Sequence, residues 1–179
     1  MFSIDSDFDA RGLRVAVLAS RFNPEISQRL VAGCQRQLEE LRCEHVEVFW
    51  VPGAFEIPLA AQTLVDARAF DAIVTLGAVI RGDTPHFDYV CRAVTDGVRE
   101  LSVRSGVPIA FGVLTTDNWE QALERAAAPG EKGSNKGSES AAVAVEMARF
   151  VRRVREGAPH AHGASEEREA AGRRAAGTR

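Results

Sequence analysis

The chain has 179 residues, a length suited to one domain, and its composition, 45% hydrophobic and 26% charged, is that of a soluble globular protein. Its formal net charge of −3 argues against a nucleic-acid partner, which selects a basic face, and no apolar run is long enough to span a membrane. The start, MFSIDSDFDARG, is acidic without an apolar stretch, so no signal peptide is expected; with three cysteines (Cys34, Cys43, Cys91) and no CxxC pair, a cytoplasmic protein with free thiols is expected.

Residues 1–10 alternate weakly and suit an N-terminal arm or edge strand, one that can extend the sheet of a neighbouring subunit. LRVAVLA, 13–19, reads as the first strand. Asn23 and Pro24 then predict an N-cap and first helical residue, and Leu30, Cys34, Leu38 and Leu41 make one apolar stripe. VEVFWV, 46–51, is a second strand ended by Pro52-Gly53. The helix after it carries Ile57, Ala61 and Leu64 inward, with Pro58 in its first turn.

AIVTLGAVI, 72–80, is apolar nearly throughout and suits a central strand buried on both faces. Thr84 and Pro85 predict the N-cap and first residue of a helix running to about residue 104, with Cys91, Val94, Val98 and Leu101 inward. VPIAFGVL, 107–114, is the fourth strand. Thr115-Thr116-Asp117 starts another helix, with Asp117 and Glu120 as a capping box. A glycine-rich loop, PGEKGSNKG, precedes a last helix in which Val143, Met147, Phe150, Val151 and Val154 recur at helical spacing. Residues 11–155 therefore form the α/β domain. The tail 156–179 has no large apolar residue, and its composition predicts disorder. Its His160 and His162 lack further ligands at metal-binding spacing.

Strand–helix alternation of this kind predicts a flavodoxin-like three-layer α/β/α sandwich around a four-stranded parallel sheet. In open sheets of that kind ligands sit beyond the carboxyl ends of the strands. The uncommon residues lie there: Phe22-Asn23, Ala54-Phe55-Glu56, and the stretch GAVIRGDTPHFDYV over 77–90. Gly82 lets backbone approach a ligand, the helix start after Thr84 favours an anion, and His86 stands in that first turn as a proton-transfer candidate. GxGxxG, GxxxxGK[ST] and GxSxG patterns are absent.

The stretches ASRFNPEIS, WVPGAFEIPLAA, DAIVTLGAVIRGDTPHFDYVC, GVLTTDNWEQALERA and NKGSESAAVAVEMA, in order over about residues 11–155, resemble the 6,7-dimethyl-8-ribityllumazine synthase family. The resemblance implies condensation of 5-amino-6-(D-ribitylamino)uracil with L-3,4-dihydroxy-2-butanone 4-phosphate, without metal or organic cofactor. It implies that Phe22, Asn23, Ala54, Phe55, Glu56, Val79 and Ile80 bind the ribitylaminouracil, with Phe111 and Lys136 added from the adjacent subunit. Gly82, Asp83, Thr84 and the neighbour's Arg125 are implied for the phosphate, and His86 for proton transfer. The expected partners are thus small-molecule substrates and further copies of the chain, with riboflavin synthase as an additional one.

Two departures bear on this expectation. Asp83 puts a carboxylate beside the phosphate position. PGEKGS lengthens the loop before Asn135 relative to shell-forming members, which favours a bare pentamer over a sixty-subunit shell. A non-catalytic lumazine- or flavin-binding or scaffold paralogue, an archaeal-type riboflavin synthase and a flavodoxin-like electron carrier stay open as alternatives.

Overall fold

The computed structural model describes residues 6–157. In chain order the elements are β1 (Arg14–Ser20), α1 (Pro24–Glu40), β2 (His45–Val51), a 3-10 turn (Ala54–Glu56), α2 (Ile57–Asp66), β3 (Ala72–Ile80), α3 (His86–Ser105), β4 (Ile109–Thr116), α4 (Trp119–Arg125) and α5 (Lys136–Arg155). All strand pairs are parallel and the sheet order is β2-β1-β3-β4. The fold is the flavodoxin-like α/β sandwich expected from the alternation of elements.

Side chains alternate across the pleat, so each strand feeds two cores. Val15, Val17 and Ala19 of β1, with Val74, Leu76 and Ala78 of β3, pack under α1 and α5 through Leu30, Cys34, Leu38, Ala141, Ala144, Val145 and Ala148. Ala16, Leu18, Ile73 and Val113 face the opposite layer, where Ile57 and Ala61 of α2 meet Val94, Val98 and Leu101 of α3. The central strands β1 and β3 are buried on both faces for this reason, while β2 and β4 form the two edges.

Several local expectations shift. Asn23 precedes α1, but it adopts a left-handed conformation (φ 54°) and makes no side-chain cap. Its amide instead donates to the Ala78 carbonyl at 3.0 Å, a bond to β3 that capping geometry would preclude. α3 begins one residue later than expected, at His86, with Pro85 rather than Thr84 at the cap position and no side-chain cap. Thr115 and Thr116 belong to β4, and Asn118 rather than Asp117 caps α4, accepting from the Gln121 N–H at 2.9 Å. Cys91 is half-buried, whereas Val94, Val98 and Leu101 are buried as expected. On α5 the expected stripe is displaced: small residues fill the contact with α1, and Val143, Met147, Phe150 and Val154 are 42–49% exposed. Gly137 lets the start of α5 approach α1 closely, since a Cβ there would lie 2.0 Å from the Leu30 carbonyl oxygen, and Gly33 leaves room for the Asn135 side chain.

Residues 6–10 form no strand. They lie along their own subunit, with the Ala10 N–H donating to the Leu41 carbonyl and the Arg149 guanidinium to the Asp9 and Arg11 carbonyls. Residues 1–5 of the expected arm, and the tail from 158 with His160 and His162, lie outside the described residues.

Candidate active site

The order of the sheet reverses between β1 and β3, where neither adjoining crossover covers the strand ends. A cleft of about 580 Å³ opens there. Its lining includes Phe22 after β1, Ala54, Phe55 and Glu56 after β2, Val79 and Ile80 at the end of β3, and Gly82, Thr84 and His86 beyond it. Nine residues predicted from scattered stretches thus meet in one concavity.

Local geometry explains how each is presented. The Arg21 N–H donates to the Val51 carbonyl at 2.8 Å and prolongs the β1–β2 ladder past Ser20. The left-handed turn at Asn23 then throws Phe22 outward, 68% exposed, so this phenylalanine is not part of the core. Phe55, 60% exposed, is raised on the 3-10 turn after Pro52-Gly53, while Ala54 beside it is buried. The Glu56 carboxylate folds back over Gly53, where an added Cβ would lie 3.1 Å from its Oε2. A Cβ at Gly82 would meet no protein atom within 4 Å, so internal packing does not account for that glycine. Its neighbour Asp83 is exposed and does not line the cleft. Asn23 does not line it either, because its side chain is committed to Ala78.

The loop from 81 to 85 is anchored by a residue not singled out as a site candidate. The Arg81 N–H donates to the Thr116 carbonyl at 2.9 Å, and its guanidinium contacts Asp117 at 3.1 Å and Asp88 at 3.2 Å. The same group lies 4.1 Å over the Phe87 ring. Hydrogen bonds to Asp88 and then Asp117 hold its pKa above the ordinary arginine value. Arg81 therefore braces the turn bearing His86 with charge already matched by two carboxylates. The sequence signal was weak, since Asp117 lies far along the chain.

Phe111, Arg125 and Lys136 stand elsewhere. They line a second cleft of about 370 Å³ along the open edge of β4, and the two clefts have no lining residue in common. Ala126 and Asn135 form an isolated antiparallel bridge, which sets Arg125 beside Lys136 although α4 and α5 are separated by the glycine-rich loop. Arg125 donates to the Gln121 carbonyl at 3.0 Å, and Lys136 pairs with Glu139 at 2.5 Å. Glu139 and Val143 also line this cleft; the helical i,i+3 spacing from Lys136 was the local signal for Glu139, and the apolar recurrence along α5 that for Val143.

Among the described residues no group of three or more His, Cys, Asp or Glu side chains is placed to hold a metal ion, and no helix is long and apolar enough to cross a membrane. The chain matches the family described as 6,7-dimethyl-8-ribityllumazine synthase over residues 12–152. That match takes in every strand and both clefts, and the chain belongs to this family. Membership places it in riboflavin biosynthesis, among transferase-type enzymes with small-molecule substrates, and suggests an oligomeric assembly.

Proposed function

We propose that the protein condenses 5-amino-6-(D-ribitylamino)uracil with L-3,4-dihydroxy-2-butanone 4-phosphate to give 6,7-dimethyl-8-ribityllumazine, phosphate and water. One observation carries this reading. Nine of the eleven residues expected from one subunit, all but Asn23 and Asp83, line one cleft, and the three expected from its neighbour line another on the same chain. Two such half-sites are what a ring of identical subunits needs if each junction is to hold one complete site.

In this reading Phe22 and Phe55 present exposed rings to the pyrimidine, and Glu56 accepts hydroxyl protons of the ribityl chain. Asn23 acts through its hold on Ala78, keeping Val79 and Ile80 in place to offer backbone groups to the uracil edge. Gly82 and Thr84 seat the phosphate at the start of α3, with Asp83 contributing backbone only, and Arg125 of the neighbour completes the seat. Lys136 and Phe111 of the neighbour close over the ribitylaminouracil. The amine adds to the ketone and water leaves to form an imine. Phosphate then departs, and attack by the ribityl-bearing nitrogen closes the second ring with loss of another water. His86 moves protons between these steps.

Holding two reactants in register can remove roughly 7–11 kcal/mol of barrier in favourable cases. A placed acid–base group adds about 10²–10⁴-fold. Register therefore counts for more than proton transfer, and the subunit junction is what supplies it. The loop 129–134 is exposed and is held against α1 by Arg29–Glu131 at 2.7 Å, an outcrop that favours a pentamer over a closed shell in a cytoplasmic enzyme.

Asp83 left a binding-only paralogue open, and its side chain stands outside the cleft. Incubating the purified oligomer with both substrates tests the proposal. Lumazine fluorescence should grow in step with released phosphate. Tight binding of lumazine without turnover of the two precursors would overturn the enzymatic reading.

A further inference from the structure

We propose that Asn135 is a positioning residue: its side chain sets the separation of Arg125 and Lys136, and with it the strength with which the second cleft holds a phosphate group. This rests on the phosphate role proposed above for Arg125.

The contacts of the two cations stay within their own helices. Among the described residues Arg125 reaches only the Gln121 carbonyl four residues back, and Lys136 only Glu139 three residues on. Neither contact fixes one cation relative to the other, so their spacing is a property of the backbone between them. That backbone is joined at the Ala126–Asn135 bridge, with the Ala127 N–H donating to the Ser134 carbonyl at 3.0 Å and the Ser134 N–H to the Glu124 carbonyl at 2.8 Å.

Asn135 locks this joint from its side chain. Its Nδ2 donates to the Ala127 carbonyl and to the Arg29 carbonyl, each at 3.1 Å, and its Oδ1 accepts the Ser138 N–H at 3.1 Å. Both amide hydrogens are used. One side chain thus ties α1, the segment leaving α4 and the first turn of α5. The surroundings are shaped to admit it: a Cβ at Gly33 would lie 2.2 Å from Asn135 Oδ1, so residue 33 has no room for a side chain. Arg125 precedes Ala126 and Lys136 follows Asn135, so any opening of the joint separates the cations directly.

The test uses the intact oligomer. Asn135→Ser keeps a short acceptor for the Ser138 N–H and adds no charge, but it loses both donations. KM for the phosphate-bearing substrate should rise about tenfold or more, as when a supporting contact is removed. The turnover number should change far less, because a binding interaction has been weakened uniformly. The dissociation constant of inorganic phosphate, measured by calorimetry, should weaken in parallel. Glu131→Gln removes the neighbouring Arg29 ion pair but spares Asn135, and its KM should stay within about twofold of wild type if loop order in general is not the cause.

If Asn135→Ser does not fold, Asn135→Asp, with the same shape and the same cap acceptor, is read instead. A folded variant whose KM and phosphate affinity match wild type would refute the inference, as would an equal KM rise in Glu131→Gln. A wild-type protein that binds phosphate and loses that binding in Asn135→Ser, yet makes no lumazine, would refute the enzymatic reading while leaving this one intact. Wild type that binds no phosphate would sink both.

Discussion

The two clefts predict that inactive subunits can rescue each other. His86→Ala damages the first cleft only, and Arg125→Ala the second only, because the clefts share no lining residue. Alone, His86→Ala should lose about 10²–10⁴-fold in turnover without losing activity altogether. Arg125→Ala should mainly raise KM for the phosphate substrate, so assays at low concentration of that substrate make it nearly silent. When equal amounts are co-expressed with different tags, each junction draws its first cleft from one subunit and its second from the next. About one junction in four then carries two intact halves, whatever the number of subunits in the ring. Mixed oligomers isolated through both tags should therefore recover about a quarter of wild-type rate, far above either parent. Recovery no greater than the mean of the parents, in oligomers shown to contain both chains, would mean that each site is built within one subunit.

Burial drives the Cys34 thiol up to about 12, so at pH 8 it should resist a disulfide reagent in the native protein and react at once in denaturant; rapid native modification at this position would contradict the packing of α1. The Glu131 carboxyl is held below its ordinary value of 4.5, first by the Ala128 N–H and then by Arg29. A lowered native pKa means stabilisation that is present above the unfolded value and disappears as pH falls through the native one. The difference in Tm between wild type and Glu131→Gln should accordingly be largest near neutrality and vanish in acid, and a gap unchanged down to pH 2 would refute the latch. The Ser20 hydroxyl is fully buried at the end of β1 and has no hydrogen-bond partner among the described residues, so Ser20→Ala should leave stability equal or raise it by about 1–2 kcal/mol. Denaturant unfolding checks this, and a clear loss would show that the hydroxyl is satisfied after all.

The order of elements, the parallel sheet and the burial of β1 and β3 could be read from the chain, because apolar runs and helical stripes are local and periodic. The positions after the strands that host Phe22, Glu56 and His86 were equally legible, since the carboxyl edge of an open sheet is where such residues gather. Finer local details were decided by contacts at long range. Asn23 gives up its cap for Ala78, which is 55 residues away. Arg81 finds Asp117 just past the end of the neighbouring strand, 36 residues along the chain. On α5 it is Ala141, Ala144, Val145 and Ala148 that pack into the core with α1, leaving Val143, Met147, Phe150 and Val154 on the outer face.

Side-chain period and turn chemistry determine which segments form strands and helices, where those begin to within a residue or two, and which strand ends carry unusual groups. They carry no information on how far one loop stands from another. The division of the candidate site into two separate clefts, and the pairing of Arg125 with Lys136 through Asn135, arise only once strands and helices from distant parts of the chain pack, because their relative positions are fixed by the shared cores and not by any one segment.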